Sequence, residues 1–127
     1  MEKVLRIPIL QMQDLLIASV QVELHDRAAM QFRDDLLRRI HETKARGLIL
    51  DLTAVRIVDS FIAKLTGDIA EMAALMGTRV VVSGLQPAVA VALVELGVEL
   101  RGVISALNLE KGIEILSRMV KEKQSNA

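Results

Sequence analysis

The residues best placed to do chemistry in this 127-residue chain lie in one stretch, Asp51-Leu52-Thr53-Ala54-Val55-Arg56-Ile57-Val58-Asp59-Ser60-Phe61. A polar group stands where an apolar run ends, a second apolar stretch follows, and Asp-Ser opens a helical pattern. Two roles fit that dipeptide. Asp59 can cap the helix by accepting from a free N–H of its first turn, a contribution of about 0.5–2 kcal/mol, with Ser60 merely the first helical residue. Alternatively, Ser60 is a phosphoacceptor, because the start of a helix tolerates negative charge, to the extent of about 0.3–1 kcal/mol. A phosphoserine carries roughly −1.5 to −2 charges at neutral pH. Beside Asp59 it would repel a partner with its own acidic patch and leave the fold intact. Ser83 and Ser105, at the ends of predicted strands, are the next hydroxyls to consider.

Other chemistries are poorly supplied. His25 and His41 are the only histidines and fall outside any HExxH-like spacing, so both read as helix-flank or surface residues. Cysteine is absent, which removes thiolate nucleophiles, thiolate zinc ligands and disulfides. Neither a GxGxxG, a Walker P-loop nor a GxSxG elbow occurs. The adjacent pair Asp34-Asp35 points in two directions on a helix, and Asp51 and Asp59 are separated by a loop. The expectation is a protein that is not an enzyme and uses no cofactor or metal.

The elements that must hold this stretch follow from periodicity. Val4 to Leu10 and Leu15 to Val22 read as two paired strands, with Gln11-Met12-Gln13-Asp14 between them. From Asp26 to Ala45, Ala29, Phe32, Leu36, Leu37 and Ile40 take helical spacing, and Gly47 is read as the stop. Leu48 to Leu52 lacks polar alternation, as suits a strand covered on both faces. A helix then runs from Asp59-Ser60 to Gly77, and Arg79 to Ser83 is a buried-type strand. Pro87 suits the first position of a helix through Leu96. Val98 to Ser105 should hold a last strand, Asn108 caps a helix through about Lys121, and 122–127 should fray. The pattern ββαβαβαβα predicts one α/β domain over 1–127, mainly parallel with an antiparallel N-terminal strand. In open sheets of this kind, ligands and partners bind at the carboxyl edge, where Asp51 to Ser60 falls.

Composition narrows the partners. Sixteen Lys plus Arg offset sixteen Asp plus Glu, and aromatic residues make up only 2% of the chain, so neither long-range attraction to nucleic acid nor base stacking is expected. The N-terminus lacks a secretory pattern and no segment approaches a membrane span, which makes a cytoplasmic protein without membrane contact the expectation. At 52% apolar residues and a mean hydropathy of +0.40, the chain has either a rich aliphatic core or an exposed interface.

DLTAVRIVDS resembles the signature of STAS domains, the family of anti-anti-sigma factors and sulfate-transporter tails: Asp, apolar, Ser or Thr, then apolar positions leading to Asp-Ser. VDSFIAKLTGDIAEMAALMG, RVVVSGLQPAVAVALVELGV and GVISALNLEKGIE are similar to the RsbS-type stressosome scaffold branch of that family, so the likeness runs from about Leu48 into the last helix. It implies that Ser60 is the phosphoacceptor and that Asp59 shapes the acceptor loop. Thr53, after the strand, and Gln86-Pro87, in the neighbouring loop, would line the site. Simple anti-anti-sigma factors usually continue with a small residue and Gly after the acceptor; Phe61-Ile62 stand there instead and fit the scaffold branch better.

The function implied by this resemblance is that of a scaffold and antagonist in the general stress response. It would co-assemble with RsbR-type STAS partners, as a homo-oligomer (a dimer within a larger particle), and hold an RsbT-type switch kinase. Phosphorylation of Ser60 would release the kinase, and an RsbX-type phosphatase would reset the site. A simple anti-anti-sigma factor switched at Ser60 and a small-ligand-binding α/β domain are the alternatives.

Overall fold

The structure, a computed structural model, describes residues 8–20 and 26–125. Apolar runs and helical periods resolve into β1 (Ile9–Met12), β2 (Leu15–Ser19), α1 (Asp26–Thr43), β3 (Gly47–Asp51), α2 (Ser60–Leu75), β4 (Arg79–Ser83), α3 (Pro87–Glu95), β5 (Ile104–Ala106) and α4 (Leu109–Ser125). The predicted element order is therefore observed. One five-stranded sheet runs β1-β2-β3-β4-β5, with β1 antiparallel to β2 and the other pairings parallel.

The middle strands have no polar alternation because both of their faces are covered. Leu16, Leu48, Leu50, Val80 and Val82 face one core with Phe32 and Leu36 of α1 and Leu65 and Ile69 of α2. Their sequence neighbours Leu15, Ile17, Ile49 and Val81 face the other core, which is closed by Leu116 and Val120 of α4. The two-residue period of a strand thus sorts alternate residues into two layers. Among the described residues no helix is long and apolar enough to cross a membrane.

Several boundaries differ from the sequence reading, each for a physical reason. The expected first strand began at Val4, but residues 4–7 lie outside the described ones, and β1 continues to Met12 instead of ending at Leu10. Met12 pairs with Leu15, which leaves only Gln13 and Asp14 to turn the chain, and Gln13 does so with φ 55°. The second strand stops at Ser19 rather than Val22; residues 21–25, including His25, lie outside the described ones.

Gly47 does not stop α1. Lys44 takes the left-handed conformation (φ 57°) and ends the helix. Gly47 opens β3 because the core leaves it no room: a Cβ would lie 2.7 Å from Leu15 Cδ2 and 2.8 Å from Leu116 Cδ2. The last strand is confined to Ile104–Ala106, since Val98 and Leu100 instead pack beside Val89 and Leu93 of α3. The last helix, α4, extends to Ser125 rather than ending near Lys121, and residues 126–127 lie outside the described ones. Asn108 caps α4 as expected, Oδ1 accepting from Lys111 N at 2.9 Å.

Candidate functional site

At the carboxyl ends of β2, β3 and β4 the chain gathers around Asp51. Its carbonyl accepts from Val20 N at 3.0 Å. Its carboxylate Oδ1 accepts from two hydroxyls, Thr53 Oγ1 and Ser83 Oγ, each at 2.8 Å. Ser83 is wholly buried, so this bond satisfies a hydroxyl that could not reach water. The backbone repeats the tie, since Leu52 N donates to Ser83 O at 2.9 Å.

Gln86 completes the cluster. It is the N-cap residue of α3, yet its side chain makes no capping bond, because Nε2 donates to Thr53 O at 2.9 Å. The β4–α3 turn therefore grips the start of the loop at 53–59. Gly84 permits that approach: it has φ +69°, and a Cβ there would fall on Thr53 Oγ1 and lie 3.0 Å from Thr53 Cα. Pro87 is the exposed first residue of α3. It suits that position because its fixed φ matches the helix and the missing N–H would have no partner.

Further along the loop, Val55 and Val58 pack with Leu85 against Ala63 of α2 and Val89 and Leu93 of α3. This apolar anchor delivers the chain to the start of α2. Asp59 caps that helix, with φ −89° and ψ 176° and its Oδ1 accepting from Ile62 N at 2.8 Å. Ser60 follows as the first helical residue; it is exposed, and no hydrogen bond of its hydroxyl is found among the described residues. An accessible hydroxyl beside the unpaired N–H groups of a helix start can accept a phosphoryl group and keep the resulting dianion solvated.

Thr53 and Gln86 are thus joined to each other directly, whereas they connect to Asp59 and Ser60 only through the loop and its apolar anchor. No side-chain hydrogen bond links the two pairs among the described residues. Asp51, Ser83 and Gly84 turn out to organise the site. Sequence reasoning placed Asp51 in a weak carboxylate pair, took Ser83 for a spare hydroxyl and gave Gly84 no role. The available signal was Ser-Gly closing a buried strand, a place where only a tertiary contact explains both residues. Ser83 as an alternative phosphoacceptor is corrected by its burial and its bond to Asp51, while Ser105 is exposed on β5.

Beneath the loop lies an apolar cavity of about 30 Å³ lined by residues that include Val55, Val58, Ile62 and Leu93. That is far below the roughly 300–1,000 Å³ of small-molecule sites. His41 is exposed in the last turn of α1.

A STAS domain model matches residues 6–111. The RsbT co-antagonist protein RsbRA of Bacillus subtilis (strain 168) is 28% identical over 95 residues, which cover 75% of this chain and 35% of that protein. The chain thus spans about a third of the length of this curated relative. Among solved structures, a serine-to-glutamate variant of Moorella thermoacetica RsbS has 36% identity and a TM-score of 0.84, with 91% of this chain and 98% of that one covered. A chain of the stressosome, there called a signal integration and transduction hub, has 38% identity and a TM-score of 0.81, with 90% and 99% covered.

Proposed function

We propose, from the premise that this chain belongs to the STAS domain family, that it is a non-enzymatic stressosome scaffold and antagonist. In this reading the whole chain is one STAS domain acting in the cytoplasm. It co-assembles with RsbR-type STAS proteins, holds an RsbT-type serine/threonine switch kinase and releases it when Ser60 is phosphorylated. An RsbX-type phosphatase restores the resting state.

The observation that carries the reading is the exposed Ser60 hydroxyl, without a hydrogen bond among the described residues, at the first position of α2 directly after the capping Asp59. Likeness to RsbS over nearly the full length of both chains supports the scaffold branch. The curated relative, named a co-antagonist of RsbT, supports the class of kinase.

In the step itself, Ser60 Oγ attacks the γ-phosphorus of ATP. The O–P bond forms as the bond to the β–γ bridging oxygen breaks, ADP leaves, and the hydroxyl proton passes to a base of the kinase. The product places roughly −1.5 to −2 charges beside Asp59 at neutral pH. Lys64, one turn on, is engaged with Asp68 at 3.2 Å. A kinase whose bound face is itself acidic is repelled, while the capped helix stays intact.

The test is peptide mapping by mass spectrometry across residues 51–64 after incubation with the switch kinase and ATP. One phosphate on Ser60 is expected, and Ser60→Ala should take none while still retaining the kinase. A phosphate on another residue, or none from a kinase active on a control substrate, would overturn the reading.

A further inference from the structure

The opposite end of the sheet, where β3 and β4 begin, carries a different surface. Three adjoining grooves meet around Gly77. An open one of about 380 Å³ is lined by His41, Lys44, Arg46 and Met76 among others; the next includes Arg46 and Arg79, and the third includes Arg79 and Arg101. Among the described residues no carboxylate lines any of the three. The two central arginines are fixed next to each other by the backbone, Arg79 N donating to Arg46 O at 2.8 Å. Lys44, Arg46 and Arg79 make no ion pair among the described residues, whereas Arg101 pairs with Glu99 at 3.0 Å.

This concentration is notable because the chain as a whole has a formal net charge of zero. Lys44, Arg46 and Arg79 thus form a local cluster in a chain that has no excess of cations. Helix C-termini attract basic side chains, which accounts for His41 and Lys44 at the end of α1. It does not account for Arg46 and Arg79, which flank and open strands. Asp14 and Glu42 stand at the same end but line none of the grooves. Met76, which lines the first groove with the cations, is an apolar side chain at 41% exposure, and its neighbour Leu75 at the end of α2 is 84% exposed.

We propose that this end of the molecule is a docking surface for an acidic segment of a partner protein that also carries apolar side chains. Lys44, Arg46 and Arg79 would meet its carboxylates, and Leu75 and Met76 its apolar residues. The exposed apolar pair favours a polypeptide over a nucleic acid, which would call for stacking aromatics at such a site. Alpha-helical α2 separates Ser60 from Leu75 by about 22 Å at 1.5 Å per residue. That is more than twice the roughly 8 Å screening length of physiological salt. Docking here is accordingly insensitive to charge at Ser60, which lets an assembly contact persist while a contact at the other end is switched.

The experiment is an NMR titration of the isotope-labelled chain with two synthetic peptides of equal negative charge, one of glutamates with interspersed leucines and one without leucine. An RNA oligonucleotide is the competitor. The expected result is amide shifts confined to 41–46 and 75–79, at least about fivefold tighter binding of the leucine-containing peptide, and a loss of about tenfold or more in the double variant Arg46→Glu/Arg79→Glu. Ser60→Asp should leave the affinity within about twofold.

Shifts elsewhere or none, unchanged binding after charge reversal, or RNA displacing the peptide with higher affinity would overturn the proposal. So would concentration-dependent shifts at 41–46 and 75–79 in the peptide-free protein, which would give the surface to a second copy of this chain. The titration uses no kinase, so its failure is distinct from failure of the phosphoacceptor reading.

Discussion

Replacing Gly84 by Ala tests whether the β4–α3 turn really holds the acceptor loop. Two costs add. With φ +69°, an L-residue in the left-handed region loses about 1–2 kcal/mol. The new Cβ would also fall on Thr53 Oγ1 and sit 3.0 Å from Thr53 Cα and Cβ, so backbone has to move. That movement breaks the Thr53–Asp51 bond and the Gln86–Thr53 bond, together about 1–2 kcal/mol for two net hydrogen bonds near the surface. The stiffer unfolded chain returns about 0.4–1 kcal/mol, leaving a destabilisation of about 2–3 kcal/mol.

Gly97→Ala supplies the control, since Gly97 has φ +76° with nothing within 4 Å of a Cβ. It should lose only about 1 kcal/mol or less. By urea denaturation the two variants should differ by about 1–2 kcal/mol, the term they do not share, or about 4–8 °C in Tm for a chain of this size. Loop displacement should also slow phosphorylation of Ser60 in the first variant and leave the second unchanged. Stabilities of Gly84→Ala and Gly97→Ala that agree within about 0.5 kcal/mol would refute the close-approach argument.

Two further substitutions probe the local geometry. Asp59→Ala should cost about 1 kcal/mol through loss of the cap on α2, while Asp59→Asn, which keeps an accepting oxygen, should lie within a few tenths; equal losses in thermal melts would mean that charge, not capping, is what Asp59 contributes. Lys44→Gly should stabilise the chain by about 0.5–1 kcal/mol, because it relieves the left-handed strain at the end of α1. A loss in denaturant titration would show that the lysine side chain contributes more than its backbone conformation costs.

What the sequence determined by itself was local. A cap involves groups within one turn of each other, so Asp59 over Ile62 and Asn108 over Lys111 were legible from residue type and spacing, and with them the position of Ser60 at the start of α2. The strands were legible because burial on both faces demands unbroken apolar runs, and the βα alternation fixed a mainly parallel sheet. The tertiary structure decided whatever joins distant segments. Ser83 and Asp51 are separated by 32 positions, Gln86 and Thr53 by 33, and no period in the chain encodes those meetings; they arise from the register Asp51↔Ser83 between parallel strands. Gly47 shows the same division. A glycine after a helix reads as its stop, yet Lys44 carries the turn, and Gly47 is required because side chains from β2 and α4 close over it. The grouping of Arg46 with Arg79 likewise exists only once two strands lie side by side, since a formal net charge of zero says nothing about where the charges gather.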